Sequence, residues 1–169
     1  EKFSYAVNTM LPPDIRIRLS EEVPLDFHAR FSTKGKRYRY LFWDARHAGA
    51  LNRFTHAHSI YPLNDARMQA EANALIGTHD FAAFCAAGAD TASEDTVRTV
   101  SKAEVKRDGK LVTFTVEADG FLYNMVRILA GTLVEVGRGE RSPQSIPELF
   151  GNKRAEAGFL APAKGLCLE

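Results

Sequence analysis

The sequence is short of cysteine, of one-sided charge and of long apolar runs, and each shortage closes off a class of function. Its 169 residues include two cysteines, Cys85 and Cys167, far apart along the chain. They form neither a metal-ligand spacing nor a disulfide framework, which suits a reducing cytoplasm. His56 and His58 stand two apart without a third ligand, so no metal site is expected. No apolar run approaches the ~20 residues that cross a bilayer, so no membrane span is expected. Lys and Arg number 22 against 21 Asp and Glu, a net charge of +1. An anionic partner must therefore be met by local basic clusters, not by an overall field. The chain opens on Glu1 rather than Met and no signal peptide follows, which leads us to expect a piece of something longer.

What is present is apolar and aromatic. Hydrophobic residues make up 45% of the chain, with 11 Phe and 5 Tyr. That supports one packed domain and argues against disorder. Residues 1–10 read as a short helix ended by Pro12-Pro13. Residues 15–23 alternate Ile, Arg, Ile, Arg, Leu and read as a half-buried strand. Residues 37–44, RYRYLFWD, give the strongest strand signal. Asn64-Asp65 predicts the cap of a helix over residues 66–76, closed by Gly77. THDFAAF, residues 78–84, reads as a turn or short helix, and GADTASEDT, residues 88–96, as a surface loop. Residues 97–106 and 111–118 are two strands joined at Asp108-Gly109. A long helix is expected over residues 120–137, another from Ser142-Pro143, and a final strand near the end. The order gives an α+β fold with a mostly antiparallel sheet and helices packed on one face.

Within GFLYNMVRILAGTLVEVG, residues 120–137, Arg127 is a permanent charge in an otherwise apolar helix. At ~100° per residue, Asn124, Arg127, Gly131, Glu135 and Arg138 form one thin stripe. Two readings fit: a solvated polar stripe, or a cleft wall whose arginine holds a carboxylate or phosphate. Gly131, one turn beyond, leaves room for something to approach the backbone. A second constellation, DFHARFSTKGKRYRYLFW, mixes Arg30, Lys34, Lys36 and Arg37 with aromatic residues. Cations beside flat rings suit nucleic acid, while an ordinary edge strand fits the same alternation. Asp80 and Asp119 read as caps or turns, although Asp119 with His79 leaves a hydrolase open.

Four segments then match a family in order: residues 14–40, GTHDFAAF at 77–84, the Arg127 helix, and AGFLAPAKGLCL at 157–168. Together they resemble the tRNA pseudouridine synthases of the TruA family. The resemblance implies a pseudouridine synthase-like fold and isomerisation of uridines at positions 38 to 40 of the tRNA anticodon stem-loop. It implies no cofactor and no metal, a cytoplasmic protein and a homodimer. Carried over by motif, Tyr38 of KRYRY is the tyrosine that stacks on the base, and Arg127 of MVRI orients the catalytic aspartate. Phe121, Leu122 and Val126 would line the substrate pocket, and Arg30, Lys34, Lys36 and Arg37 would meet RNA phosphates. The family's Gly-Arg-Thr-Asp-Ala-Gly-Val-His segment, which carries the nucleophilic aspartate, is absent from this sequence. Residues 1–169 therefore read as the C-terminal half of a synthase, inactive alone. The alternative is a non-catalytic RNA-binding domain.

Overall fold

A computed structural model describes residues 2–29, 31–86 and 95–169. They fall into two compact units, Glu1–Thr33 and Lys34–Glu169. The first contains helix α1, Lys2–Asn8. Its last residue, Asn8, grips the following chain with its amide, bonding both the N–H and the carbonyl of Ile17 at 2.8 Å. The strand expected over residues 15–23 does not form. Its Ile/Arg alternation has no neighbouring strand among the described residues of its unit to pair with, and a strand is stable only in a ladder.

The second unit is α+β. Strands β1 (Lys36–Asp44), β2 (Ala57–Ser59), β3 (Gly77–Asp80), β4 (Val97–Asp108), β5 (Leu111–Ala118) and β6 (Leu166–Leu168) form one sheet. The order is β2-β1-β5-β4-β3, with β6 also pairing β1. Among the described residues the β1–β2 pair alone is parallel; the other pairs are antiparallel. β1 is an interior strand, paired with β5, β2 and β6, and its residues alternate between a core face and a polar face. Tyr38, Tyr40 and Phe42 turn inward, and Tyr40 and Phe42 are fully buried. β4 and β5 form the expected hairpin, with Gly109 in the left-handed region at φ +56°. β5 buries every second residue, Val112, Phe114, Val116 and Ala118.

Helices α2 (Asp65–Asn73) and α3 (Met125–Arg138) cover that apolar face. Asn64 caps α2 as expected, its Oδ1 accepting the Arg67 N–H at 2.9 Å. THDFAAF divides into β3 and a 3-10 turn at Ala82–Phe84. Asp80 caps that turn through the Ala82 N–H at 3.0 Å, the role its position suggests. Most of the predicted surface loop at residues 88–96, including Glu94, lies outside the described residues. The helix expected from Ser142 is replaced by turns and a 3-10 segment at Pro147–Leu149. Gln144 takes a left-handed φ of +66° there, and one such residue ends helical propagation. The buried carboxylate of Glu71 on α2 holds this turn, accepting the N–H groups of Gln144 and Ile146.

α3 begins five residues later than the apolar pattern predicts. Residues 120–124 form a loop, and Asn124 is left-handed at φ +58°. Phe121 and Leu122 are therefore not helical. The helix ends at Gly139, φ +78°, whose N–H bonds back to α3 carbonyls.

Candidate active site

Arg127 lies in the first turn of α3, half-buried. Its stripe is not solvated along most of its length. A strap, residues 157–165, runs over it and is tied to it at four points. The N–H of Gly158 bonds Thr132 Oγ1 at 3.0 Å, and that of Phe159 bonds Glu135 Oε1 at 3.2 Å. The N–H of Ala161 bonds the Arg127 carbonyl at 3.2 Å, while Arg127 Nε donates to the Ala161 carbonyl at 2.7 Å. Gly131 does admit a close neighbour, but that neighbour is the strap. A Cβ there would stand 1.9 Å from the Phe159 carbonyl oxygen.

The Arg127 guanidinium is thus fixed by the chain's own carbonyls and amides. Nε is held by Ala161, and Nη1 donates to Asn124 Oδ1 at 3.1 Å. Nη2 has no hydrogen-bond partner, and Arg127 makes no ion pair, among the described residues. A guanidinium so placed is ready for an anion.

Tyr40 of β1 reaches the strap. The Tyr40 hydroxyl donates to the Pro162 carbonyl at 2.6 Å. Burial pushes its pKa well above the phenolic range, and the positive charge of Arg127 pulls it partly back. Arg127 and Tyr40 hold the carbonyls of two successive strap residues, Ala161 and Pro162, so the two side chains share one neighbourhood. Tyr38, two residues earlier on the same face, is half-buried and edge-on to Phe121, with ring centroids 5.1 Å apart at 87°. Its hydroxyl has no partner among the described residues. An aromatic ring with a free hydroxyl can stack a planar base and handle a proton at its edge.

The other sequence candidates divide. Phe121 joins Tyr38 at the site, but Leu122 and Val126 are 8% and 4% exposed and belong to the hydrophobic core. Lys34, Lys36 and Arg37 line an open cleft of about 500 Å³ with Thr99, Ser101, Glu117, Asp119 and Glu169. The cleft is not a simple cationic patch, since Arg37 Nε is 2.8 Å from Glu117. Arg30 lies outside the described residues. Asp119 accepts the Thr99 N–H at 3.1 Å, the turn role its position suggests. His79 stacks on Phe150 at 4.2 Å, with Nε2 at 3.1 Å from the Ile76 carbonyl. The two bond to different partners, so no hydrolase dyad forms. Sequence reasoning missed Tyr40, Asn124 and the strap carbonyls. The β1 alternation pointed to Tyr40, and the three-residue spacing of Asn124 and Arg127 on one stripe pointed to Asn124.

No helix among the described residues is long and apolar enough to cross a membrane. Residues 72–169 match the family model described as tRNA pseudouridine synthase. Among curated relatives, the chain is 47% identical to tRNA pseudouridine synthase A of Acetivibrio thermocellus, over 99% of this chain and 68% of that protein. It is 48% identical to the Ruminiclostridium cellulolyticum protein of the same name, over 99% of this chain and 69% of that protein. For the Geobacillus kaustophilus protein of that name the figures are 47%, 99% and 65%.

Proposed function

The chain belongs to the tRNA pseudouridine synthase family, and we propose that it forms the C-terminal part, about two thirds rather than half, of a synthase that isomerises uridines 38–40 of the tRNA anticodon stem-loop. The observation that carries this reading is the half-buried Arg127. Its Nε and Nη1 are committed to the chain and its Nη2 has no partner among the described residues. The missing anion is an aspartate from the part of the family's length that this sequence does not include. That the chain spans about two thirds of its relatives supports this assignment.

In the proposed reaction a uridine is flipped out of its stack, and Tyr38 stacks on the uracil. The aspartate attacks the sugar C1′, and the bond between N1 and C1′ breaks. The base turns, C5 bonds to C1′, and the bond from the aspartate to C1′ breaks to return the carboxylate. The C5 hydrogen leaves as a proton and N1 gains one, so the product is an isomer of the substrate. Arg127 keeps the aspartate ionised, because a neighbouring cation lowers a carboxyl pKa. Phe121, backed by Leu122 and Val126, keeps water from the detached base. Lys34, Lys36 and Arg30 are assigned to phosphates, with Arg37 shared between RNA and Glu117. The enzyme is proposed to act as a cytoplasmic homodimer, without metal or cofactor. The present chain alone would bind RNA and turn nothing over.

The test is tritium release from tRNA labelled at uridine C5, with the full-length protein and its Arg127→Ala variant. Release by the first and near-silence from the second is the expected result. Equal release would return Arg127 to a structural role, and silence from both would overturn the synthase assignment for this substrate.

A further inference from the structure

We propose that Asn124 is a positioning residue that aims Arg127, an inference that rests on the synthase reading and extends it. Asn124 precedes the first residue of α3. A residue in that place ordinarily takes extended backbone and turns its side-chain oxygen onto an N–H of the first helical turn. Asn124 does neither. Its backbone is left-handed, φ +58° and ψ +11°, and its side chain makes no capping bond. The oxygen goes instead to Arg127 Nη1 at 3.1 Å. The helix start thus forgoes its cap, and the oxygen released is spent on the arginine.

The consequence is geometric. A guanidinium held at one point can still swing. Here Ala161 fixes Nε at 2.7 Å and Asn124 fixes Nη1, so the rigid plane has two points of support. Nη2 is the nitrogen left over, and its direction is set by the other two. The Asn124 amide oxygen is neutral, so it steers the guanidinium without neutralising it. A carboxylate in the same place would steer equally well but would compete with the nucleophile for the charge. The left-handed backbone also fits the residue type, since asparagine adopts that region more readily than most side chains. Asparagine meets both demands: a neutral acceptor and a tolerant backbone.

The experiment uses the full-length protein. Asn124→Gly keeps the left-handed backbone, which glycine adopts freely, and removes only the oxygen. Asn124→Asp keeps an acceptor and adds a charge. The expected result is a roughly tenfold lower kcat for tritium release in Asn124→Gly, with KM for tRNA and Tm unchanged. Asn124→Asp should be slower still, although its Tm is also preserved. A residue that only braced the loop would be served as well by Asp as by Asn, so the order Asn above Gly above Asp separates the two roles. In parallel, ¹⁵N spectra of the Arg127 side chain should show restricted rotation of Nη1 that is lost in Asn124→Gly. Wild-type kcat in Asn124→Gly, a kcat loss matched by a fall in Tm, or unchanged Arg127 spectra would each overturn the proposal. Silence from the unaltered protein would remove the synthase reading and this role with it. Activity in the unaltered protein together with an unaffected Asn124→Gly would remove this role alone.

Discussion

Replacing Gly131 by alanine should destabilise the protein, against the intrinsic preference of a helix. In an unobstructed helix interior the change gains about 0.5–1 kcal/mol. Here the new Cβ would stand 1.9 Å from the Phe159 carbonyl oxygen and 2.9 Å from its carbon. An ordinary contact between carbon and oxygen needs about 3.3 Å, so the strap must retreat by roughly 1.4 Å. The obstacle is backbone, not the end of a flexible side chain, and it is tied down on both sides. Gly158 bonds Thr132 at 3.0 Å and Ala161 bonds Arg127 at 3.2 Å. Overpacking of this kind costs about 1–3 kcal/mol, and each strap bond lost adds about 0.5–1.5 kcal/mol. The net expectation is a loss of about 1–3 kcal/mol, read as a lower urea midpoint at constant slope. Gly137→Ala is the comparison. Its Cβ would meet the Met68 sulfur at 2.8 Å, the end of a flexible side chain, so the loss should be smaller. In the full-length protein Gly131→Ala should also lower the tritium-release kcat, because the Ala161 carbonyl that holds Arg127 moves with the strap. A Gly131→Ala protein more stable than its parent would refute the placement of the strap.

Three further outcomes can be checked. Glu71→Ala leaves the exposed Gln144 and the buried Ile146 N–H groups without their acceptor, and at about 1–3 kcal/mol for the buried group it should cost about 1–3 kcal/mol in urea unfolding, with Glu71→Gln milder. The hydrogen bond from Arg107 holds the Asp65 carboxyl below its usual range. That contribution is complete above about pH 4 and is lost as pH falls through the lowered native value. Asp65 is well exposed, so the effect should be about 1 kcal/mol or less, and Arg107→Met should flatten this acid limb in a pH series of urea midpoints. Tyr40 holds its proton longer in the native state than in the unfolded one, so its contribution is whole below about pH 10 and declines above it. Tyr40→Phe should remove that alkaline decline and cost about 0.5–1.5 kcal/mol at neutral pH through the lost bond to Pro162.

By itself the sequence determined the elements whose signals are local and self-consistent. β1 follows from the Tyr38, Tyr40, Phe42 alternation, the β4–β5 hairpin from Asp108-Gly109, and α2 from Asn64. The apolar run around Arg127 announced α3, and the same residues with KRYRY carried the family resemblance. Signals that need a distant partner were not legible. The Ile/Arg alternation at residues 15–23 resembles a strand, but no ladder forms within its unit. The proline at 143 suits a helix start, but Glu71, distant in sequence, holds a turn there instead. The start of α3 was misplaced because Phe121 and Leu122 satisfy the helical pattern, while the left-handed Asn124 leaves no mark in composition. The tertiary structure alone decided what covers the Arg127 stripe. Periodicity locates a polar stripe but does not say whether it meets water or another segment. Here it is a strap some thirty residues further along, held by backbone hydrogen bonds and admitted by two glycines, Gly131 and Gly158, whose missing Cβ atoms allow the close approach.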